Sequence, residues 1–543
     1  MPVLTASDDK ISRDNSSTRY SLPSLDFMTA PALSLLDAAE QHFRAGRLIE
    51  AERLLREIID TNPSHGEALE GLAYIAANQH DHALAADYFD RAIDALPDTV
   101  SRLHDSGLSN QSAGRHERSV QLFEQVLALA PRNLMSMHAA ALSLTALGKN
   151  ERALEMFQRA CLLEPASWQI RYNMGRALGL LGRFDEEIAA YKHAIELKPD
   201  AVDAYVNLGV ALRDLHRFDE ALKVFKKAIQ IDPNHAGART NRAQLNLLLG
   251  EFEHGWREYE WRWRDGGQQH DFGDSAWSGD VPLTGKTLLL HAEQGMGDTL
   301  QFVRYIDLLT GRGARLVLRV QDALLPLLKT YPGVDTVIGA SADVPPFDYH
   351  CALLSLPHAL KTRAAIPGTV PYLFADAARS TTFEPLLDKR HPRIGVAWSG
   401  SSTHVNDRNR SMRLAALSPL FHLDATFVSL QKEVREEDRV ALAQFPLLDV
   451  SPQLDSFADT AALIAQLDLV ICVDTAVAHL AGALGKPVWL MLAWTPDWRW
   501  GMERTDSAWY PRARLFRQTS RGDWTRVVAD VVAALEGVTE AEG

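Results

Sequence analysis

A glycine-rich turn in the segment Thr287–Tyr305 (TLLLHAEQGMGDTLQFVRY) offers the first candidate chemistry of the chain. Gly295 and Gly297 allow the backbone to approach a ligand closely, because neither carries a side chain. The free N–H groups at the start of the following helix favour a phosphate or another anion, and a diphosphate would suit them. The full dinucleotide-binding fingerprint is absent, since Leu300 occupies the place of its third glycine. The alternative interpretation is a tight turn in which Asp298 only caps the helix.

The elements around this turn follow from the spacing of apolar residues. Thr287–Leu290 is a short apolar run that predicts a buried strand. The apolar residues between Leu300 and Leu309 recur at the three-and-four spacing of one helix face. We therefore expect a strand, a loop and a helix, with Asp298 or Thr299 as the N-cap.

Strand-like runs alternate with helical ones through the second half of the chain, which is typical of parallel sheets covered by helices. The first series comprises Thr287–Leu290, Arg315–Val320, Val334–Ile338 and Tyr349–Leu353. The second series comprises Arg393–Trp398, Thr426–Leu430, Leu447–Val450, Leu469–Val473 and Val488–Leu492. We expect two Rossmann-like lobes that meet near residues 375–392, with ligands at the carboxyl ends of the strands.

Polar residues cluster where the strands of the second lobe end. They are Ser399, Ser401, Arg410, Gln431, Lys432, Asp474, Thr475 and His479. Taken singly, Ser399 and Ser401 belong to an ordinary strand–helix turn, Arg410 is a solvated side chain, and His479 is more often a satisfied helix histidine than a ligand. Together they supply hydroxyl groups, amide N–H groups and guanidinium forks that suit a nucleotide diphosphate. No spacing of His, Cys and Glu indicates a catalytic metal, and neither a Walker lysine motif nor a Gly-x-Ser-x-Gly elbow occurs.

The first half of the chain is a repeat array. Prolines recur every 34 residues, at Pro63, Pro97, Pro131, Pro165, Pro199 and Pro233. The period resembles that of the tetratricopeptide repeat, from about Ala32 to His235, with a degenerate seventh unit that ends near Arg264. The resemblance implies a superhelix with a concave groove that binds a protein, and the alternative is a spacer or an oligomerisation arm. Aromatic residues at Trp256, Tyr259, Trp261 and Trp263 are expected to form interface core rather than a sugar platform.

Length and composition restrict the class of protein. At 543 residues the chain is too long for one hydrophobic core. A net charge of −14 argues against general binding to nucleic acid. Cys161, Cys351 and Cys472 lack metal-ligand spacing, which is typical of buried thiols in a reducing compartment. Residues 1–28 lack the apolar core of a signal peptide, and no run is apolar enough to span a bilayer, so we expect a disordered tail and a cytoplasmic protein.

Two motifs carry a family resemblance. GMGDTLQFVRY and VDTAVAHLAGALGKPVW resemble the heptosyltransferase-like glycosyltransferases of the GT-B fold, over roughly residues 284–537. The closing segment WTPDWRWGMERTDSAWYPRARLFRQ is similar to that of bacterial proteins that place this domain behind tetratricopeptide repeats, some of which glycosylate flagellin. The plan is also similar to that of O-GlcNAc transferase.

The resemblance implies an all-α tetratricopeptide repeat superhelix followed by an α/β GT-B domain of two Rossmann-like lobes. The expected organisation is a tail at residues 1–28, an array at 29–265 with six regular repeats and a degenerate seventh, a connector at 266–283, an acceptor-side lobe at 284–380 and a nucleotide-sugar-side lobe at 390–543.

The resemblance also implies roles for individual residues. Asp298 matches the aspartate that acts as general base. Arg410 stands near the family's phosphate-binding lysine and would offset charge on the departing diphosphate. Asp474, Thr475 and His479 match an Asp-Thr-Gly-x-x-His element in which Ala476 replaces the glycine, and Asp474 would orient the donor. The expected donor-binding set also contains Gly295, Gly297, Ser399, Ser401, Gln431 and Lys432. Trp494, Trp498 and Arg499 are candidate walls of the cleft, with packing between the lobes as the alternative.

The function implied is an inverting, metal-independent glycosyltransferase that moves a sugar from a nucleotide-activated donor to Ser/Thr hydroxyls of a protein. Flagellin is the best single candidate for that acceptor, and the repeats would bind it. No cofactor is expected beyond the nucleotide-sugar substrate. Two alternatives stay open: transfer to a glycan or lipid-linked acceptor in envelope polysaccharide assembly, and a non-catalytic scaffold with a vestigial cleft.

Overall fold

The computed structural model describes residues 30–265, 272–362, 366–404 and 406–542. The chain divides into two compact units, residues 2–233 and residues 234–543, which are described separately. The tail predicted at residues 1–28 and the first part of the predicted connector, residues 266–271, lie outside the described residues.

Residues 30–233 form paired antiparallel helices of the tetratricopeptide type. The helices are Ala30–Arg44, Leu48–Thr61, Gly66–Asn78, His82–Ala95, Val100–Ser112, His116–Leu129, Leu134–Ala146, Asn150–Leu163, Trp168–Leu180, Phe184–Leu197, Val202–Asp214 and Phe218–Ile231. The recurring prolines lie in the connections between successive pairs. Because these positions are outside the helices, the missing N–H group of proline breaks no helical hydrogen bond there.

The periodic small residues let the two helices of a pair approach closely. A Cβ on Gly107 would lie 2.6 Å from the Phe123 ring, and a Cβ on Gly209 would lie 2.5 Å from the Phe225 ring. Both rings are fully buried. The aromatic residue of the second helix therefore fills the space that the glycine of the first helix leaves open.

The second unit begins with one further helix pair, Ala236–Leu248 and Phe252–Tyr259, and a 3-10 turn, Glu260–Arg264. Trp256 and Tyr259 are buried in this unit, and the Trp256 ring meets the Trp498 ring edge to face with 5.1 Å between centroids. Trp256 and Tyr259 thus form core with the α/β part of the unit, as expected, whereas Trp261 and Trp263 are half-buried.

Two parallel sheets follow. The first contains β1 (Thr287–His291), β2 (Arg315–Val320), β3 (Thr336–Gly339) and β4 (Tyr349–Ala352) in the order β3-β2-β1-β4. The second contains β5 (Arg393–Ala397), β6 (Thr426–Ser429), β7 (Leu447–Asp449), β8 (Leu469–Val473), β9 (Val488–Leu492) and β10 (Ala513–Arg517) in the order β10-β9-β8-β5-β6-β7.

Helices lie between the strands and after the last one. The α-helices are Met296–Phe302, Leu325–Leu328, Leu356–Ala359, Ala377–Phe383, Asp407–Arg410, Arg439–Gln444, Phe457–Ala465, Ala476–Ala483 and Trp524–Glu542. The 3-10 helices are Val303–Leu308, Asp322–Leu324, Leu353–Ser355, Glu384–Leu386, Leu414–His422, Glu436–Asp438, Ser451–Gln453 and Trp498–Trp500. The predicted fold class, a tetratricopeptide array followed by α/β sheets, is confirmed. Within the described ranges no helix has both the length and the apolar character needed to cross a bilayer.

Arg262 attaches the 3-10 turn to the first sheet. Its guanidinium donates to both Glu293 carboxylate oxygens, at 3.1 and 2.6 Å, and to Ser355 Oγ at 2.7 Å. Glu260 Oε1 accepts a further bond at 2.8 Å. Glu293 follows β1 and Ser355 follows β4, so one buried side chain joins the adjacent ends of two strands.

We expect Arg262→Met to lower the free energy of unfolding by about 3–5 kcal/mol, because Glu293 would stay buried without its cation. Removing both charges in Arg262→Met/Glu293→Leu should recover most of that loss. Tryptophan fluorescence during urea denaturation follows this unit, since every tryptophan except Trp168 lies in residues 234–543. The exposed pair Lys286–Asp348 provides the control: Lys286→Met should leave the midpoint almost unchanged. An Arg262→Met variant as stable as this control would contradict the assignment.

Candidate active site

The second sheet reverses its strand order between β5 and β8. From β5 the chain continues outward to β6 and β7, whereas from β8 it continues to β9 and β10 on the other side. Ala397 pairs with Cys472 across this junction. The loops after β5 and β8 therefore diverge over one crevice, the position where open parallel sheets bind ligands.

Arg410 spans the crevice. Its Nη1 donates to the Asp474 carbonyl oxygen at 3.1 Å, and a Cβ on Gly400 would lie 2.6 Å from its Nη2. Ser399 follows β5 and donates its N–H to Gln431 Oε1 at 3.2 Å. Within the described part of the chain, Arg410 Nε and Ser399 Oγ are buried without a hydrogen-bond partner. Two polar groups of the crevice thus retain unused hydrogen-bonding capacity.

The helix Ala476–Ala483 begins at the opposite side of the crevice. Thr475 is its N-cap, with Oγ1 accepting the Val477 N–H at 3.2 Å. The positive end of this helix lies at the carboxyl end of β8 and suits an anion. Burial, with repulsion from Asp497, raises the pKa of Asp474 to about 6, and Arg410 opposes that shift.

His479 lies inside the same helix and is buried. Its Nδ1 is 2.9 Å from Tyr510 Oη, and its ring stacks on Trp500 with 5.4 Å between centroids. Burial, with repulsion from Arg499, lowers the pKa of His479 to about 3, so the imidazole is neutral at pH 7.

The loop after β1 begins its helix earlier than predicted. Helix Met296–Phe302 has Gly295 as N-cap, so neither Asp298 nor Thr299 holds the N-cap position. Asp298 is the third helical residue, and its Oδ2 accepts the Gly295 N–H at 2.8 Å. The turn reaches this earlier start because Gln294 adopts a left-handed φ of 55°. Asp298 thus caps the helix from inside, with one carboxylate oxygen.

Gly297 brings the two sheets together. A Cβ on Gly297 would lie 2.8 Å from the His479 ring and 3.4 Å from Ala476 Cα. Helix Met296–Phe302 of the first sheet therefore packs directly on helix Ala476–Ala483 of the second. This contact places Asp298 beside the loop after β9.

That loop supplies Arg499, which forms an ion pair with Asp298. Arg499 also donates to Asp497 Oδ1 at 2.7 Å and to Gln301 Oε1 at 2.5 Å. Burial raises the pKa of Asp298, whereas the Arg499 guanidinium lowers it. Arg499, a candidate wall of the cleft in the sequence analysis, thus contacts the carboxylate predicted as the base.

The other predicted residues occupy varied places. Trp498 is buried in the aromatic core with Trp256, and Trp494 is half-buried. Ser401 is exposed and bonds Thr403 Oγ1 at 2.8 Å. Lys432 is exposed and donates to the Ser451 carbonyl after β7 at 3.3 Å.

Four polar residues near Asp298 were not predicted from sequence. They are Tyr259, Gln301, His404 and Asp497. Asp497 precedes Arg499 by two residues in the loop after the buried strand β9. A carboxylate close to a cation at the end of a buried strand indicates a candidate site, so Asp497 could have been predicted from sequence. Tyr259 belongs to the aromatic segment already expected to form an interface. Gln301 and His404 carry no local signal. Among the described residues, no group of three or more His, Cys, Asp or Glu side chains could hold a metal ion.

Family comparisons agree with the two halves of the chain. Residues 202–235 match a profile described as tetratricopeptide repeat, and residues 36–98 and 138–202 match a second profile with the same description. Residues 427–522 match the profile of glycosyltransferase family 9 (heptosyltransferase). That match begins at the second residue of β6, extends beyond β10 and includes Gln431, Asp474, His479 and Arg499.

One curated relative is "Protein FlbA" of Caulobacter vibrioides, 30% identical over 327 residues, which are 54% of this chain and 54% of that protein. The chain thus spans about half the length of the curated relative it matches. Solved structures similar to parts of the chain include YrrB, a TPR protein with an unusual peptide-binding site (22% identity, 34% of this chain and 95% of that chain, TM-score 0.30). A tetratricopeptide repeat protein from Parabacteroides merdae is 16% identical, over 44% of this chain and 94% of that chain, with a TM-score of 0.37.

We expect Gly297→Ala to lower the free energy of unfolding by about 1–3 kcal/mol, because the added methyl would press on a His479 ring held by Tyr510 and Trp500. Gly295→Ala is the matched control, since its Cβ would meet the Asp298 side chain at 3.1 Å and the Gly297 backbone N at 4.0 Å. Urea denaturation followed by tryptophan fluorescence measures both. Equal stability of the two variants would show that the helices do not meet as described.

Proposed function

We propose that this protein is an inverting glycosyltransferase of GT-B architecture that transfers a sugar from a nucleotide-activated donor to Ser/Thr hydroxyls of a protein, with flagellin as the candidate acceptor. The observation that carries the proposal is the position of Asp298. This carboxylate comes from the first sheet, yet the helix contact at Gly297 sets it beside the crevice of the second sheet. The family 9 match over residues 427–522 supports the glycosyltransferase activity in this proposal.

The donor diphosphate is assigned to the crevice between β5 and β8. Arg410 supplies the charge there, Ser399 supplies a hydroxyl, and the start of helix Ala476–Ala483 supplies N–H groups and a positive dipole end. In this assignment, Arg410 neutralises the departing diphosphate, and a divalent cation is not required. Asp474 would accept hydrogen bonds from the donor, and Gly295 and Gly297 shape the loop that faces it.

The transfer step uses Asp298 as general base. The acceptor hydroxyl oxygen attacks the anomeric carbon as its proton passes to an Asp298 oxygen, and the bond from that carbon to the phosphate oxygen breaks, leaving the electron pair on the diphosphate. Arg499 and the Gly295 N–H each use one lone-pair site of the carboxylate. A carboxylate offers about four such sites, so room remains for the acceptor proton.

The repeats are assigned the role of binding the acceptor, in a cytoplasmic protein. Support comes from the tetratricopeptide matches and from the separation of residues 2–233 as a compact unit. Stacked repeats of this kind present an extended surface to a protein ligand.

Asp298→Asn should reduce transfer by about 10²–10⁴-fold, because the amide keeps the shape of the side chain and its bond to Gly295 but takes no proton. The measurement is the intact mass of candidate acceptors, flagellin foremost, purified from cells that express wild-type protein, Asp298→Asn or neither. A discrete mass present with wild type and absent with Asp298→Asn is the expected result.

Two further arms separate the alternatives. A chain without residues 1–233 should still hydrolyse the donor but leave the acceptor unmodified, whereas unchanged modification would contradict the role of the repeats. Protein masses that never change, together with donor turnover, would favour transfer to a glycan or lipid. Absence of donor binding would favour a scaffold.

A further inference from the structure

Arg499 is held between two carboxylates from different parts of the unit. Asp298 belongs to the first helix after β1, and Asp497 belongs to the loop after β9 that also carries Arg499. With Gln301 bonded to Nε, all three guanidinium nitrogens have a partner. The side chain is 7% exposed and stacks on the Trp498 ring at 4.2 Å. These contacts therefore hold the Arg499 guanidinium in one position.

A general base in this place needs such a cation. The Asp298 side chain is 16% exposed, and a poorly hydrated carboxylate favours its protonated form, which cannot accept a proton. Burial raises the pKa of Asp298, Asp497 adds to the rise by repulsion, and Arg499 lowers the pKa.

The remaining titratable groups that face Asp298 come from every element packed on it. Among the described residues they are Glu293 on the same loop, Tyr259 before the sheets and His404 after β5, while His479 on the facing helix contacts the neighbouring Gly297. Burial raises the pKa of Tyr259 to about 12 and lowers the pKa values of both histidines, so these three are neutral at pH 7. When protonated at lower pH, His404 lowers the pKa of Asp298 as Arg499 does, but to a smaller extent. Glu293 is paired with Arg262. Arg499 is thus the cation in contact with Asp298 among the described residues.

We propose that Arg499 is a positioning residue that keeps the Asp298 carboxylate ionised and in one orientation. Asp497 pairs with the same guanidinium and weakens its electrostatic effect on Asp298. This inference rests on the proposed function, because it concerns the base of that reaction. Arg499 follows a strand of the second sheet and Asp298 follows a strand of the first. The carboxylate is therefore ionised and oriented only when the two sheets are packed together.

The test is the pH dependence of donor turnover in the full-length protein. The rate falls on the acid side as Asp298 becomes protonated. Arg499→Gln should move this acid limb to higher pH by about 1–3 units, because the pKa-lowering cation is gone. Asp497→Asn should move the limb to lower pH, because Arg499 then acts on Asp298 alone. Arg499→Lys keeps the charge and should restore most of the wild-type profile.

Arg304 provides the matched control. It is also a buried arginine between the two sheets, donating to the Pro367 carbonyl at 2.7 Å and to the Trp509 carbonyl at 3.0 Å, but no carboxylate partner contacts it among the described residues. Arg304→Gln should lower stability without moving the acid limb. Opposite shifts in Arg499→Gln and Asp497→Asn therefore cannot arise from loosened packing.

Two results would overturn the inference: an acid limb that stays in place in Arg499→Gln and Asp497→Asn, or one that moves equally in Arg304→Gln. If Arg499→Gln does not fold, Asp497→Asn and Arg499→Lys still decide the question by their profiles. If the wild-type protein turns over no donor, the proposed function fails. A double-mutant cycle of Asp298→Asn and Arg499→Gln on the free energy of unfolding then decides the pairing. Coupling that disappears as the pH falls and Asp298 is protonated supports it, and absence of coupling at neutral pH contradicts it.

Discussion

The contact between helix Met296–Phe302 and helix Ala476–Ala483 is the constraint on which the rest of the site depends. It requires a residue without a side chain at Gly297, because His479 and Ala476 occupy the space a Cβ would need. His479 is in turn held by Tyr510 and Trp500. The contact joins the helix after β1 of the first sheet to the helix after β8 of the second.

The packing of the two helices also determines where charged side chains are needed. Once the two helices meet, Asp298 is too poorly hydrated to stay ionised without a cation, and Arg499 provides one from the opposite sheet. Arg262 acts similarly on Glu293, which follows β1 in the same loop. Two buried arginines thus let this loop retain two carboxylates a few residues apart.

Much of the fold could be predicted from sequence because its signals are periodic or local. The 34-residue spacing of prolines gives the helix pairs, and apolar runs give β1 to β9 with ends within about two residues. The strand β10 (ARLFR) escaped prediction because Arg514 and Arg517 interrupt its apolar residues and leave neither a continuous apolar run nor a strict alternation. The predicted start of helix Met296–Phe302 was wrong because the left-handed residue, Gln294, is not a glycine, so the sequence does not indicate the turn there.

From sequence, only the loops that form the site could be predicted, and not the side-chain contacts between them. Strand ends and turn residues identify Ser399, Asp474 and Asp298 as neighbours of a crevice, since those positions follow from topology. The pairing of Asp298 with Arg499 joins residues 201 positions apart and depends on how the two sheets pack, which no local pattern encodes. The most direct test of the account is a crystal structure with a bound nucleoside diphosphate. We expect the diphosphate between Gly400 and the start of helix Ala476–Ala483, within reach of Arg410, whereas a diphosphate seated on the Gly295–Gly297 turn would contradict the assignment of donor and base to opposite sheets.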